Sequence, residues 1–290
     1  MKIAAFLHNG QLGVGLVSAD LLHVTPFDLP LAQRAGGALA LIEMQARGQA
    51  LPAALPAIAM ADVQLTAPLP KPRRNIFCVG KNYFAHAREF AGSGFDSSAR
   101  AGEEIPDCAI YFTKVPESVV GPHAAIEMPA ASSAIDYEAE LTVIIGRGGK
   151  GIAAKDAMAY VWGYTIINDV TARDWQMRHK QWHMGKSFDT FCPMGPWLVS
   201  ADECDGTHTR VRCYVNDELR QDASTTDLIF NIPSLIETLS AGITLYPGDV
   251  IATGTPVGVG IGFKPPKYLK SGDLVRIEID GIGTLENPVV

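Results

Sequence analysis

Short β-rich runs, separated by residues that break regular structure, dominate the sequence beyond residue 75 and constrain its fold more than any other feature. Only three stretches between them have helical character, near 83–90, 171–182 and 232–241. A doubly wound fold would alternate strand and helix regularly, and this order does not. The pattern therefore predicts a mainly β body, a rolled or sandwiched sheet with a few helices. The predicted strands are 76–79, 109–114, 139–145, 161–167, 211–215, 249–253 and 274–279.

The first 70 residues have a different pattern. Runs 2–7 and 12–17 flank a polar tetrad and predict a hairpin, and the Ala- and Leu-rich stretch 31–47 predicts a helix. Three prolines fall between Pro68 and Pro72, where no regular element can continue, so we expect a linker there. The sequence thus predicts an α+β protein, mainly β, with a small N-terminal α+β domain (residues 1–70) and a main domain (residues 71–290).

Charge and cysteine content limit the partners and the location of the chain. Its net charge is −7, and its bases are scattered apart from one cluster at residues 71–74, so we expect no nucleic-acid partner. It has no uncharged apolar run long enough for a membrane span, and its apolar start is too short for a secretory signal. Five cysteines without Cys-x-x-Cys spacing favour free thiols in a reducing compartment. We therefore expect a cytoplasmic protein with no membrane contact.

Three acidic residues are candidates for a metal site. In the predicted strand at 139–145 and the residues before it, alternate side chains share one face, so Glu138 and Glu140 lie together opposite an apolar face. Asp169 follows the apolar run 161–167, and it precedes a helix start. Alternatively, the two glutamates form a solvated sheet face and Asp169 caps a helix. If the three carboxylates converge, they suit a hard cation such as Mg²⁺ or Mn²⁺.

Two further segments offer groups for acid–base chemistry and for anion binding. His86 and Glu89 lie one helical turn apart, where a carboxylate can fix the imidazole tautomer and raise its basicity. The same spacing is also common in surface contacts that only stabilise a helix. The run 248–256 predicts a strand that enters a tight turn at Thr255, where hydroxyls and backbone amides can meet a carboxylate, although an ordinary turn has the same pattern.

Taken together, five ordered motifs between residues 74 and 290 resemble the fumarylacetoacetate hydrolase family. The motifs are Val79-Gly80-Lys81-Asn82-Tyr83 with His86 and Glu89, Asp136-Tyr137-Glu138-Ala139-Glu140-Leu141, Asn168-Asp169-Val170-Thr171-Ala172-Arg173-Asp174, Gly185-Lys186-Ser187-Phe188-Asp189, and Gly248-Asp249 through Gly254-Thr255-Pro256-Val257-Gly258-Val259-Gly260. Each motif alone is weak, but five in this order make a specific signal.

The resemblance implies a mixed β-sandwich roll for the body, arranged as a homodimer. It implies that Glu138, Glu140 and Asp169 hold Mg²⁺ or Mn²⁺. It also implies that His86, oriented by Glu89, is the catalytic base and that Lys186 stabilises negative charge near the metal. The residues implied to hold the substrate's carboxylate or oxo groups are Arg173, Gln176 and Thr255.

The activity expected from this set is metal-dependent cleavage of a carbon–carbon bond in acylpyruvates or related 2-oxo and 1,3-diketo acids. Compounds of the fumarylpyruvate, maleylpyruvate or fumarylacetoacetate type, from aromatic catabolism, are the expected substrates. A lyase on the same site, either an oxaloacetate decarboxylase or a ureidoglycolate-type lyase, is the alternative. A non-enzymatic binding protein is a third hypothesis, which the complete set of site residues disfavours. The Gly- and Ser-rich stretch 90–104 is predicted to be a mobile lid.

Overall fold

A computed structural model describes residues 1–92 and 105–290, in which eighteen strands and six α-helices alternate irregularly. The strands are β1 Lys2–His8, β2 Gln11–Val17, β3 His23–Pro26, β4 Ile58–Ala59, β5 Gln64–Thr66, β6 Ile76–Gly80, β7 Ile110–Lys114, β8 Val119–Val120, β9 Ile135–Asp136, β10 Ala139–Ile145, β11 Val161–Asn168, β12 Thr171–Ala172, β13 Cys192–Ser200, β14 Arg210–Val215, β15 Glu218–Ser224, β16 Val250–Ala252, β17 Leu274–Ile279 and β18 Gly283–Pro288. The helices are α1 Leu31–Arg34, α2 Leu39–Ala46, α3 Phe84–Ala91, α4 Arg173–Arg178, α5 His183–Lys186 and α6 Ile232–Gly242. The prediction of a mainly β α+β protein is confirmed.

Two sheets and a short strand pair organise the described residues. The large sheet has the order β4-β3-β2-β1-β13-β11-β10-β16-β6-β7, with β5 pairing with β1 and β8 pairing with β13. A four-stranded sheet of order β15-β14-β17-β18 packs against it, and β9 pairs with β12 alone. Most neighbouring strands are antiparallel, but β16 and β6 run parallel, so the large sheet is mixed.

The centre of the large sheet is buried on both faces. All seven residues of β10 are buried, and its apolar side chains divide between two apolar cores. Leu141 and Val143 join the core shared with the four-stranded sheet, whereas Ile144 joins the core covered by α2, where Leu41 and Ile42 pack. Because alternate strand residues point to opposite faces, a strand between two cores has no solvated side. Polar groups on this strand therefore have to find partners inside the protein.

Two predicted helices are shorter in the structure than the sequence pattern indicates. The stretch 31–47 divides into α1 and α2, because Gly37 adopts a left-handed φ of +63° and a Cβ there would lie 2.2 Å from the Pro68 carbonyl oxygen. The stretch 171–182 begins as strand β12, which pairs with β9, before α4 takes over. In both cases packing against a distant segment overrides the local helical pattern.

The N-terminal segment continues the sheet of the main body. Strand β1 pairs with β13 through Lys2 opposite Val199 and Ile3 opposite Leu198. Ile3 and Ala5 are buried in the same core as residues of β10 and β11. A division into domains at residue 70 stays a prediction, and the hydrogen bonds of β1 cross that boundary.

Two other expectations concern the lid and the membrane. The predicted lid at 90–104 falls largely on residues 93–104, which lie outside the described residues. Within the described part of the chain, no helix combines the length and the apolar character needed to cross a membrane.

We expect the fragment 71–290 to lose cooperative thermal unfolding, because removal of β1 deprives β13 of one neighbouring strand and exposes the apolar face that Ile3 and Ala5 cover. Circular dichroism during heating measures this. The matched control is the full chain cleaved once in the proline-rich segment 67–72, which keeps both pieces and should retain the transition. A fragment that unfolds cooperatively at the midpoint of the full chain would contradict the expectation.

Candidate functional site

The three predicted metal ligands meet where the ladder between β10 and β11 ends. Ala139 lies opposite Asn168 in that ladder, so Glu138 and Asp169 are the first residues beyond it on either strand. The Asp169 amide donates to the Glu138 carbonyl oxygen at 2.9 Å, and the Asn168 side-chain oxygen accepts from the Glu138 amide at 3.0 Å. Glu140, two residues along β10, points to the same side as Glu138. The end of one hairpin thus delivers all three carboxylates.

These carboxylates form a buried acidic cluster. Each of the three contributes one oxygen, and these oxygens all lie within 4.8 Å of one another. Glu138 is 4% exposed, Glu140 is 1% exposed and Asp169 is fully buried, so the solvated alternative for this sheet face does not hold. Hard oxygen ligands in this number suit a divalent cation that keeps free positions for water or substrate, such as Mg²⁺ or Mn²⁺.

Two buried lysines compensate part of this negative charge. Lys186 Nζ lies 2.8 Å from Glu138 Oε2 and 2.7 Å from Asp169 Oδ2. Lys114 Nζ lies 2.6 Å from Asp169 Oδ1. Glu140 accepts a hydrogen bond from the Gly254 amide at 2.8 Å, and among the described residues it has no ion-pair partner. In the described part of the chain, Glu140 is thus the carboxylate of the trio that no ion pair compensates, which fits a site that takes a metal.

The pKa values follow from this unequal compensation. Burial raises the pKa of Glu140 well above its usual range, and the Asp169 and Glu138 carboxylates raise it further. Burial also acts to raise the pKa of Glu138, but the Lys186 ammonium and the Arg173 guanidinium outweigh it and hold that pKa at about 2. Burial acts to lower the pKa of Lys186, and the Asp169 and Glu138 carboxylates reverse this and raise it.

Arg173 is held in place by a fourth buried acid. Its Nε donates to Asp136 Oδ2 at 2.9 Å, and its Nη1 donates to the Gln176 side-chain oxygen at 3.1 Å. Asp136 also accepts from the Gly260 amide at 2.6 Å and the Ile261 amide at 3.0 Å. Arg173 Nη2 lies 2.7 Å from Glu138 Oε1. The guanidinium is therefore oriented by protein partners on several sides.

The predicted base and its partner lie in contact on helix α3. His86 Nδ1 is 3.2 Å from Glu89 Oε2, and the Glu89 carboxylate also accepts from the Gly258 amide at 3.0 Å. A Cβ at Gly262 would lie 2.0 Å from Glu89 Oε1, so only glycine lets the chain approach this closely. The Gly258 amide thus holds the Glu89 carboxylate from outside helix α3. The carboxylate in turn orients the His86 ring.

Seven of the nine predicted site residues line one cavity: His86, Glu138, Glu140, Arg173, Gln176, Lys186 and Thr255. The other two, Glu89 and Asp169, contact lining residues directly. The Thr255 hydroxyl accepts from the Gln221 side chain at 2.7 Å. Aromatic rings complete the wall, and Trp182 packs edge-on against Phe90 and Phe112. The structure brings all nine together, and their chemical roles stay a prediction.

Sequence reasoning missed three charged residues at this site. Lys81 lines the cavity in a left-handed backbone conformation, with φ of +53°. Lys114 and Asp136 are fully buried partners of Asp169 and Arg173. The signal was present for Lys114 and Asp136, since each is a charged residue beside a predicted apolar strand, as Asp169 is.

Comparison with known proteins places the chain among related enzymes. The family described as fumarylacetoacetate (FAA) hydrolase C-terminal matches residues 75–290. An oxaloacetate tautomerase of Bacillus subtilis (strain 168) is 50% identical over 232 residues, which cover 79% of this chain and 74% of that protein. A mitochondrial oxaloacetate tautomerase of Rattus norvegicus is 44% identical over 244 residues, 83% of this chain and 74% of that one.

Solved structures of related proteins match the fold over the whole length of this chain. A fumarylacetoacetate hydrolase from Exiguobacterium antarcticum has a TM-score of 0.83 and 40% identity, covering 100% of this chain and 99% of that one. A 5-carboxymethyl-2-hydroxymuconate delta-isomerase from Mycobacterium smegmatis has a TM-score of 0.79 and 33% identity, with the same coverage. The predicted type of β-sandwich roll is thereby confirmed.

Replacing Glu140 by Gln should raise the thermal midpoint of the metal-free protein by several degrees, because the amide keeps the Gly254 contact and removes an uncompensated buried charge. A raised pKa in the folded state means that the wild type loses stability as pH rises above the ordinary carboxyl pKa. The gain from Glu140→Gln should therefore grow between about pH 5 and about pH 8.

Differential scanning calorimetry in the presence of a chelator measures this effect. Glu127→Gln, which neutralises an exposed carboxylate, serves as the control and should leave the midpoint nearly unchanged. Adding Mg²⁺ should stabilise the wild type and the control but not Glu140→Gln. A lower metal-free midpoint for Glu140→Gln across this pH range would refute the expectation.

Proposed function

The chain belongs to the fumarylacetoacetate hydrolase family, and from this premise we propose that it interconverts the enol and keto forms of oxaloacetate or a closely related 2-oxo dicarboxylic acid. The buried trio of Glu138, Glu140 and Asp169 beside a cavity rich in cationic side chains is the observation that carries this proposal. The tautomerases of B. subtilis and R. norvegicus, at 50% and 44% identity, supply the substrate class. The family match supports an enzyme, and the particular reaction is our proposal.

The trio would hold Mg²⁺ or Mn²⁺, and such a cation supplies Lewis-acid polarisation of a 2-oxo carboxylate. Tautomerisation of the enol moves one proton: the enol oxygen loses a proton, the carbon beside the hydroxyl-bearing carbon gains one, and the double bond shifts from carbon–carbon to carbon–oxygen. Negative charge collects on the substrate oxygen and carbon between these two transfers. A site for this reaction therefore needs a cationic environment and a group that exchanges protons.

His86 is the proton-exchanging group in this proposal. Its Nδ1 faces the Glu89 carboxylate, which leaves Nε2 to take up and return a proton. Lys186 stabilises the developing negative charge, because its ammonium already lies among carboxylates at the cavity wall. Arg173, with Gln176, is assigned to a substrate carboxylate, since its planar guanidinium is held rigidly.

Hydrolysis of acylpyruvates is a second candidate, favoured by the same His86–Glu89 pair. A histidine oriented by a carboxylate suits the activation of water for attack on a distant carbonyl. The structural neighbour at 40% identity over the whole chain is called a fumarylacetoacetate hydrolase. Decarboxylation of oxaloacetate and a ureidoglycolate-type lyase reaction would use the same groups, and product analysis separates them.

Several further expectations remain part of this proposal. They are Mg²⁺ as the cation, a cytoplasmic location, a homodimer and a role in aromatic catabolism. The rat relative is called mitochondrial, so location varies within the family. The family assignment itself rests on none of them.

With Mg²⁺, the purified protein should speed the decay of ultraviolet absorbance of freshly dissolved enol-oxaloacetate. Malate dehydrogenase with NADH should trap the keto product quantitatively. His86→Gln should lower the rate on the order of a hundredfold, because it removes the proton-exchanging group. His208→Gln, at an exposed histidine, should keep the full rate. Pyruvate and carbon dioxide in place of keto-oxaloacetate would replace the tautomerase assignment by a decarboxylase.

For the second candidate, we expect acylpyruvates to be cleaved more slowly than enol-oxaloacetate is converted. Loss of the diketone absorbance and release of pyruvate measure this cleavage. The same preparation and metal concentration are used for both substrates, so the rates are directly comparable. Faster turnover of an acylpyruvate than of oxaloacetate would make hydrolysis the main activity.

A further inference from the structure

One oxygen of each candidate metal ligand is already in close contact with a nitrogen of the chain, through a hydrogen bond at Glu140 and Asp169 and an ion pair at Glu138. The Gly254 amide donates to Glu140 Oε2 at 2.8 Å, and Lys114 donates to Asp169 Oδ1 at 2.6 Å. Arg173 Nη2 lies 2.7 Å from Glu138 Oε1. In each of the three carboxylates, one oxygen is therefore in contact with one of these groups, and the second oxygen is not.

The remaining oxygens include the two that Lys186 contacts, Glu138 Oε2 and Asp169 Oδ2. Of the groups named above, Arg173 and Lys114 contact the other oxygen of Glu138 and of Asp169. At Asp169 the Lys114 ammonium occupies Oδ1, so Oδ2 is the oxygen that this carboxylate offers more readily to a shared cation. A cation that takes these oxygens also displaces or shifts the Lys186 ammonium, whatever its identity.

Lys114 neutralises charge at Asp169 and also fixes the orientation of that carboxylate. It ends strand β7, is fully buried and does not line the cavity, so it has no access to substrate. Its Nζ is anchored a second time by the Val170 carbonyl oxygen at 3.0 Å. The hydrogen bonds to the Asp169 side chain and to the Val170 carbonyl oxygen leave this ammonium little freedom. It therefore holds the carboxylate in one orientation.

We propose that Lys114 is a positioning residue that restricts Asp169 to one ligand oxygen and thereby makes the centre select Mg²⁺ or Mn²⁺ over Ca²⁺. This inference rests on the metal centre of the proposed function. Mg²⁺ takes six ligands at short distances, and it binds few carboxylates, each through one oxygen. Ca²⁺ takes six to eight oxygens and readily uses both oxygens of one carboxylate. A carboxylate with one oxygen occupied by an ammonium favours the first kind of ion.

The test measures binding and not turnover. Isothermal titration calorimetry with MgCl₂, MnCl₂ and CaCl₂ on chelator-treated protein gives the ratio of the Ca²⁺ and Mg²⁺ dissociation constants. In Lys114→Met this ratio should fall at least about tenfold, which is the usual scale for losing a partner of a metal ligand. The free-energy cost of shifting Lys186 is common to the wild type and Lys114→Met, so it cancels when their ratios are compared. Lys155→Met, at an exposed lysine, should keep the wild-type ratio.

Lys114→Gln is a second variant in case Lys114→Met does not fold. It keeps a hydrogen-bond donor on a neutral, shorter side chain. It should give a ratio between those of the wild type and Lys114→Met. Thermal unfolding of each variant without metal shows that folded protein is titrated. If Lys114 only neutralises charge, Mg²⁺ and Ca²⁺ affinities change by the same factor and the ratio stays constant, which overturns the inference. A wild type that binds no divalent cation refutes the proposed metal centre as well.

Discussion

Uncompensated negative charge inside the protein is the constraint on which the rest of the site depends. Four carboxylates, from Asp136 to Asp169, are buried around the end of one hairpin, where water cannot screen their repulsion. Three buried cations form ion pairs with these carboxylates: Lys114, Arg173 and Lys186. They come from three different elements, the end of β7, the start of α4 and the end of α5. The elements around the sheet are thus held to the site by charge as well as by apolar packing.

The sheet supplies the rigidity that this charge arrangement needs. Strand β10 lies between two apolar cores, so its position along β11 cannot slip without moving buried residues to the wrong face. The pairing of Ala139 with Asn168 then fixes how close Glu138 and Asp169 come. The main-chain donors at Gly254 and Gly258 add contacts that depend on backbone shape and on no particular side chain. Precise placement of the carboxylates follows from packing far from them.

Local patterns in the sequence predicted those parts of the molecule that depend on near neighbours. The alternation around Glu138 and Glu140, and the spacing of His86 and Glu89, needed only strand and helix periodicity. Lys114 was missed because its partner is 55 residues away and only the fold brings the two together. The break in the helix predicted at 31–47 likewise depends on contact with the distant Pro68. Five ordered motifs made the family identifiable, although the contacts between distant segments of the site could not be derived.

The pairing of β1 with β13 has a consequence for how the chain folds as it is made. Lys2 lies opposite Val199, so β1 is synthesised nearly 200 residues before one of its partner strands. Until then β1 can pair only with β2 and β5, and the edge of β1 at Lys2 and Ile3, with its apolar face, stays accessible to other chains. Contacts so distant in sequence also slow folding, because a long loop has to close before they form. The large sheet can therefore be completed only after β13 has been synthesised, and the unpaired edge of β1 stays exposed until then.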